Sequence, residues 1–189
     1  MDDPLTNEEK QTLLRLARSS LESRVRGAEA PRVDLDSVSP RLRADGASFV
    51  TLTIDGELRG CIGALEARQP LAADVAEHAV AAALDDPRFA PVRPDELTSI
   101  DVEVSRLTAP RDLEYRDPAD LITKLRPGVD GVILRDGPRR ATFLPQVWEK
   151  LPDKAEFLDH LCAKMGARSD AWRTGHLQVQ TYQVEEFHE

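Results

Sequence analysis

The chain has 189 residues, with 34 Asp plus Glu against 25 Lys plus Arg and a formal net charge of −9. That length suits one domain, or one domain with two lobes, burying about 70% of its unfolded surface without covalent staples. An acidic balance with no basic stripe and no interleaved aromatics argues against a nucleic-acid partner, and no apolar run has the length of a membrane span.

The cysteines, Cys61 and Cys162, lie far apart with no Cys-x-x-Cys, the usage of a reduced intracellular protein. Met1-Asp2-Asp3-Pro4 is acidic where a signal peptide would be basic and then apolar, so a cytoplasmic location is expected.

In chain order, Thr6-Asn7-Glu8-Glu9 has capping-box spacing, and Leu13, Leu14, Ala17, Leu21 and Val25 recur at helical intervals. Residues 27–46 carry no clean period and read as an extended crossing segment. Phe49–Ile54 and the run from Glu57 flank Asp55-Gly56, the dipeptide of a tight type I′ hairpin. A helix follows Pro70, rich in alanine, and stops at Asp85-Asp86-Pro87, where Pro87 cannot continue the ladder.

Ile100 to Ser105 alternates as a strand, with Ile100, Val102 and Val104 inward and Asp101, Glu103 and Ser105 on the other face. Leu121 to Leu125 suits a short helix. Runs 131–135 and 140–144 flank Asp136-Gly137-Pro138-Arg139 as a second hairpin. Asp153-Lys154-Ala155-Glu156 caps a helix with the stripe Phe157, Leu158, Leu161, Cys162 and Met165, and the tail 177–187 reads as a final strand. Helices interspersed with hairpins give an α+β fold.

Chemistry points to the first hairpin. A regular two-residue loop pairs Leu52 with Arg59 and Val50 with Cys61, placing Arg59 and Cys61 on one face. Arg59 beside Cys61 would favour a thiolate, whereas Val50 and Leu52 on that face would bury an inert thiol. Gly60 and Gly63 flank the cysteine, the sign of a bulge, a bend or a close approach to the backbone. Cys162, within its apolar stripe, reads as core. His78 reads as a packed imidazole and His176 as a freer loop residue; no histidine pair has metal-ligand spacing. Asp101, Glu103 and Ser105 suit either a solvated sheet face or a place to hold a base or hard cation. No phosphate loop, dinucleotide fingerprint or nucleophile elbow is present.

Six blocks together resemble the AMMECR family in order and rough spacing. They are Phe49-Val50-Thr51-Leu52, Leu58-Arg59-Gly60-Cys61-Ile62-Gly63, Asp86-Pro87-Arg88-Phe89 with Pro91-Val92, Val102-Glu103-Val104-Ser105, Leu144-Pro145-Gln146-Val147, and Phe157-Leu158 with Cys162-Ala163-Lys164. Arg106 and Met165 depart from the usual pattern, away from the hairpin.

The resemblance spans nearly the whole chain and implies one domain over 1–189 with two unequal lobes, a cleft between them and the Arg-Gly-Cys stretch near it. It implies kinship with protein A of AmmeMemoRadiSam systems, hence Memo-like and radical S-adenosylmethionine proteins as partners, and it names no reaction or cofactor. The expected site has Cys61 as nucleophile or ligand, Arg59 and Glu103 as its helpers, and Gly60, Gly63 and Arg88 lining a place for a small anionic molecule. Arg88 would bind that anion as a bidentate fork. A non-catalytic adaptor using the same surface, or a purely architectural motif, are the alternatives.

Overall fold

The first helix begins where the capping signal places it. In a computed structural model describing residues 4–189, α1 spans Asn7–Val25. The Glu9 amide donates to the Thr6 hydroxyl and the Thr6 amide donates to the Glu9 carboxylate, satisfying two donors that a helix start leaves orphaned. Ser39 donates to the other Glu9 oxygen at 2.7 Å, tying down a short helix, α2 (Pro40–Arg43), within the stretch expected to be merely extended.

Strand β1 (Asp45–Ile54) starts earlier than the predicted Phe49, because Asp45 and Gly46 pair with the two-residue β3 (Gln69–Pro70). Between them β2 (Glu57–Gly63) returns antiparallel through Asp55-Gly56, whose φ values of 52° and 80° suit a type I′ turn. Helix α3 (Leu71–Leu84) packs on α1, β1 and β2. Strand β4 (Ile100–Leu107) pairs antiparallel with β1 from Ala47 to Ile54.

The expected register of the first hairpin is overturned. From the turn it runs Ile54–Glu57 and Thr53–Leu58, then shifts so that Leu52 meets Gly60 and Thr51 meets Cys61. Arg59 is the extra residue of a β-bulge, and one extra residue moves every later side chain to the opposite face. A regular hairpin would aim Arg59 at the core beside Leu52, which is 0% exposed. The bulge puts Gly60 there instead and turns Cys61 away from Val50 and Leu52.

The second unit holds β5 (Arg111–Asp112), α4 (Pro118–Lys124), β6 (Gly131–Asp136), β7 (Arg139–Phe143), α5 (Lys154–Lys164), α6 (Ala171–Thr174) and β8 (Gln178–Tyr182). Its sheet order is β5-β8-β6-β7. The β6–β7 turn is Gly137-Pro138, two residues rather than four, with Gly137 at φ 57° in the first central position that a type II′ turn reserves for glycine. Its core gathers Phe157, Leu158, Leu161 and Cys162, and Trp148 stacks on Phe157 with centroids 3.6 Å apart.

The tail is not one strand. It breaks at Gln183, and β9 (Val184–His188) joins the first sheet, giving the order β2-β1-β4-β9 with β3 beside β1. A strand that changes partners within one polar-apolar run leaves no mark in composition, so the pattern reads as continuous. Residues through Thr108 with Glu185–Glu189 form one compact unit, and Ala109–Val184 form the other. Among the described residues no helix is long and apolar enough to cross a membrane.

Candidate functional site

Strand alternation gives β1 two different faces. Ser48, Val50 and Leu52, each 0% exposed, point to the core under α3, whereas Phe49, Thr51 and Thr53 are only half-buried on the other side. The β2–β1 and β1–β4 registers then set Cys61, Thr51 and Glu103 side by side in one row across three strands. The next row is Gly63, Phe49 and Ser105. Thr51 Oγ1 donates to the half-buried Cys61 sulfur at 3.3 Å.

Glu103 belongs to this row. Burial, and then the like charge of Glu186, hold its carboxyl above the ordinary glutamate value, with His188 pulling the other way. Both neighbours lie on β9. The alternate residues of that strand face the core side: Phe187 is 8% exposed among the apolar residues, and Glu185 pairs with Lys10 and Arg106.

The backbone of Cys61 is held from outside the sheet. Its amide donates to Asp86 Oδ2 at 2.9 Å and its carbonyl accepts from Arg88 Nη2 at 3.2 Å. Asp86 and Arg88 are themselves joined, with Arg88 Nε on Oδ1 at 2.9 Å, Nη2 on Oδ2 at 2.6 Å and the Arg88 amide on Oδ1 at 3.0 Å. Asp86 is 4% exposed. The Arg88 side chain foremost, against the cost of burial, and then the Cys61 and Arg88 amides hold its carboxyl far below the usual carboxylate range.

Arg59 does not serve the thiol in the expected way. Its Nε and Nη2 reach the two oxygens of Glu96 at 2.8 and 3.1 Å, and Nη1 donates to the Ala90 carbonyl at 3.0 Å. The Glu96 carboxyl is lowered by this pairing, chiefly through the Arg59 hydrogen bond. Arg59 fastens the 90–96 segment to the bulge.

A family model described as AMMECR1 matches residues 14–187. The chain belongs to the AMMECR1 family. A protein of Methanothermobacter thermautotrophicus is 42% identical over 98% of this chain and 97% of its own length. Protein MK0488 of Methanopyrus kandleri is 38% identical over 100% and 92%. The crystal structure of uncharacterized protein PH0010 from Pyrococcus horikoshii superposes with a TM-score of 0.79 at 34% identity, covering 98% of this chain and 93% of that one. The α+β architecture is thus shared with that solved structure.

In this AMMECR1-family chain, packing accounts for both motif glycines. A Cβ on Gly60 would lie 2.1 Å from the Ala82 carbonyl oxygen of α3, and one on Gly63 would lie 2.4 Å from Phe49 Cγ and from the Ser48 carbonyl. The alanine face of α3 and the bare backbone of Gly60 let helix and strand approach to a distance no side chain allows. Both positions expected to line a substrate are also close contact points of the scaffold.

Three functional candidates carry little signal in the sequence. Thr51 is one of several threonines, and Asp86 reads as part of a charged helix end. The third is a buried network: Ser48 Oγ donates to Asp74 Oδ2 at 2.6 Å, and His78 Nδ1 lies 3.1 Å from the same oxygen. His78 is the packed imidazole its helix face implies, 9% exposed. In the second unit, His176 lines a hollow of about 420 Å³ with Asp112, Glu114, Tyr115 and Gln178. Among the described residues no group of three His, Cys, Asp or Glu side chains is placed to hold a metal ion.

Proposed function

We propose that this AMMECR1-family protein is a thiol-dependent enzyme, or the substrate-handling component of one, working on a small anionic molecule at the Thr51 face of the first sheet. The observation that carries the reading is the in-register row of Cys61, Thr51 and Glu103. A hydroxyl directed at the sulfur supports negative charge on it, as a nucleophile or ligand requires. A carboxyl held above its ordinary value keeps a larger protonated fraction toward neutral pH, the condition for giving and taking a proton there. Arg88 supplies the positive charge. Its Nε and Nη2 protons are spent on Asp86 and the Cys61 carbonyl, so Nη1 is left to donate to an anion from a side chain 53% exposed. That is single-nitrogen donation in place of the expected fork. The Memo-like and radical S-adenosylmethionine partners implied by the family resemblance belong to this proposal.

Alkylation of Cys61 tests it. At pH 7 the folded chain should react with iodoacetamide at Cys61 several-fold faster than the same thiol in denaturant, and Glu103→Gln should change the pH dependence of that rate. Anionic iodoacetate should gain relative to iodoacetamide, and lose that gain in Arg88→Ala. A thiol no faster than in the unfolded chain would reject the reading and leave an adaptor that uses this surface for docking alone.

A further inference from the structure

We propose that Asp86 and Arg88 are positioning residues for Cys61, standing where a neighbouring strand would stand and fixing the backbone that carries the thiol. The inference rests on the reading of Cys61 as the reacting group. β2 is the outer strand of its sheet, and the N–H and C=O groups on the free side of an edge strand ordinarily go to water or to another chain. At Cys61 they do not. The amide meets the Asp86 carboxylate and the carbonyl meets the Arg88 guanidinium, the paired donation and acceptance that a facing residue of an antiparallel strand would provide.

The sequence makes such a holder necessary. The bulge at Arg59 breaks the ladder two residues before Cys61, and Gly60, the residue between, brings no side chain of its own to stiffen the strand. Pairing to β1 alone therefore leaves the thiol's position loosely set. The holder is built to be rigid. Pro87 fixes the backbone between its two members, Asp86 is buried, and the two side chains share two hydrogen bonds. An apolar residue at 86 would bury more cheaply, since a buried carboxylate costs desolvation that its pairing only offsets. What the pair provides is geometry, at one residue.

The test compares Arg88→Ala and Asp86→Asn with the unaltered protein by three readouts: the iodoacetamide rate at Cys61, hydrogen exchange at the Cys61 amide, and thermal unfolding. The expected result is a several-fold change in the alkylation rate together with exchange that quickens most in β2, beyond what the lower melting temperature of a broken Asp86–Arg88 pair accounts for in the rest of the unit. Arg88→Lys, which keeps one donor for Asp86, should recover part of the amide protection. Unchanged rate and exchange in Arg88→Ala overturns the proposal. So does loosening spread evenly over the first unit, which marks a merely structural pair. If Asp86→Asn does not fold, Arg88→Ala decides, because that side chain is half-exposed. Failure of the parent reading is seen separately, as an inert Cys61 in the unaltered protein whose amide protection still responds to Arg88.

Discussion

Thr51 Oγ1 and Cys61 Sγ are 3.3 Å apart across a hairpin whose bulge alone brings them to the same face. Thr51→Val keeps the shape of the side chain and removes the donor. It should slow alkylation of Cys61 at pH 7 several-fold while costing about 1 kcal/mol of stability. Thr53→Val, one row away, should leave the rate alone. Cys162, 0% exposed and with its thiol pushed up by burial, should stay unreactive until the chain unfolds, so labelling of the native protein should report one site. Mass spectrometry of the labelled peptides reads all three outcomes.

Gly60 has no room for a methyl group. With Ala82 backbone oxygen 2.1 Å from an added Cβ, Gly60→Ala must push α3 off β2, and overpacking against backbone should cost about 3 kcal/mol. Gly56→Ala is the contrast, an open turn position at φ 80° where the cost is the left-handed backbone, about 1 kcal/mol. Urea denaturation should rank the two in that order. Equal costs would contradict the close approach.

Acid and neutral pH should act on this unit in opposite directions. Glu9, Asp86 and Glu96 have folded-state values below their unfolded ones, so the stability they contribute is present above about pH 4 and is lost as pH falls through the folded values. Glu103 is raised. Its contribution is complete below the unfolded value of about 4.3 and is lost as pH climbs through the folded one. Glu103→Gln should therefore raise the melting temperature at pH 7 and leave it nearly unchanged at pH 4, whereas the deficit of Asp86→Asn at pH 7 should shrink toward pH 2.

Periodicity was enough to find most elements of this fold. The capping box at Thr6, the alanine-rich helix before Pro87 and the alternation from Ile100 each read correctly because local chemistry and tertiary environment agree there. The Asp55-Gly56 hairpin is legible in the sequence but the faces of β2 are not, because the bulge is set by what α3 tolerates opposite Leu52 and not by the turn. Arg59 looked like the partner of the thiol through its nearness in sequence, and Glu96, 37 residues on, holds it instead. Glu103 reads from the sequence as a strand residue near the hairpin; its alignment with Cys61 depends on the same bulge. Asp85 and Asp86 read as carboxylates closing a helix, suited to a charged end or to positioning a base or hard cation; that Asp86 holds the Cys61 amide depends on a tertiary contact that no local pattern marks.

The network of Ser48, Asp74 and His78 should behave as one unit in stability. Ser48 is 0% exposed, Asp74 2% and His78 9%, so none of the three has water to fall back on. Asp74 Oδ2 receives the Ser48 hydroxyl and faces His78 Nδ1, while the Ser48 carbonyl accepts the Ala64 amide at 3.0 Å just beyond the motif. Asp74→Ala leaves a hydroxyl and an imidazole without their acceptor and should cost about 3 kcal/mol. Ser48→Ala removes one donor from a carboxylate that keeps His78, and should cost about 2 kcal/mol. The double variant should cost less than the two losses combined, since removing Ser48 takes away a group that Asp74→Ala would strand. Chemical denaturation of the four proteins gives the coupling directly. Strict additivity would mean that the two side chains act independently, and that α3 is fixed to the sheet at Ser48 by apolar packing alone.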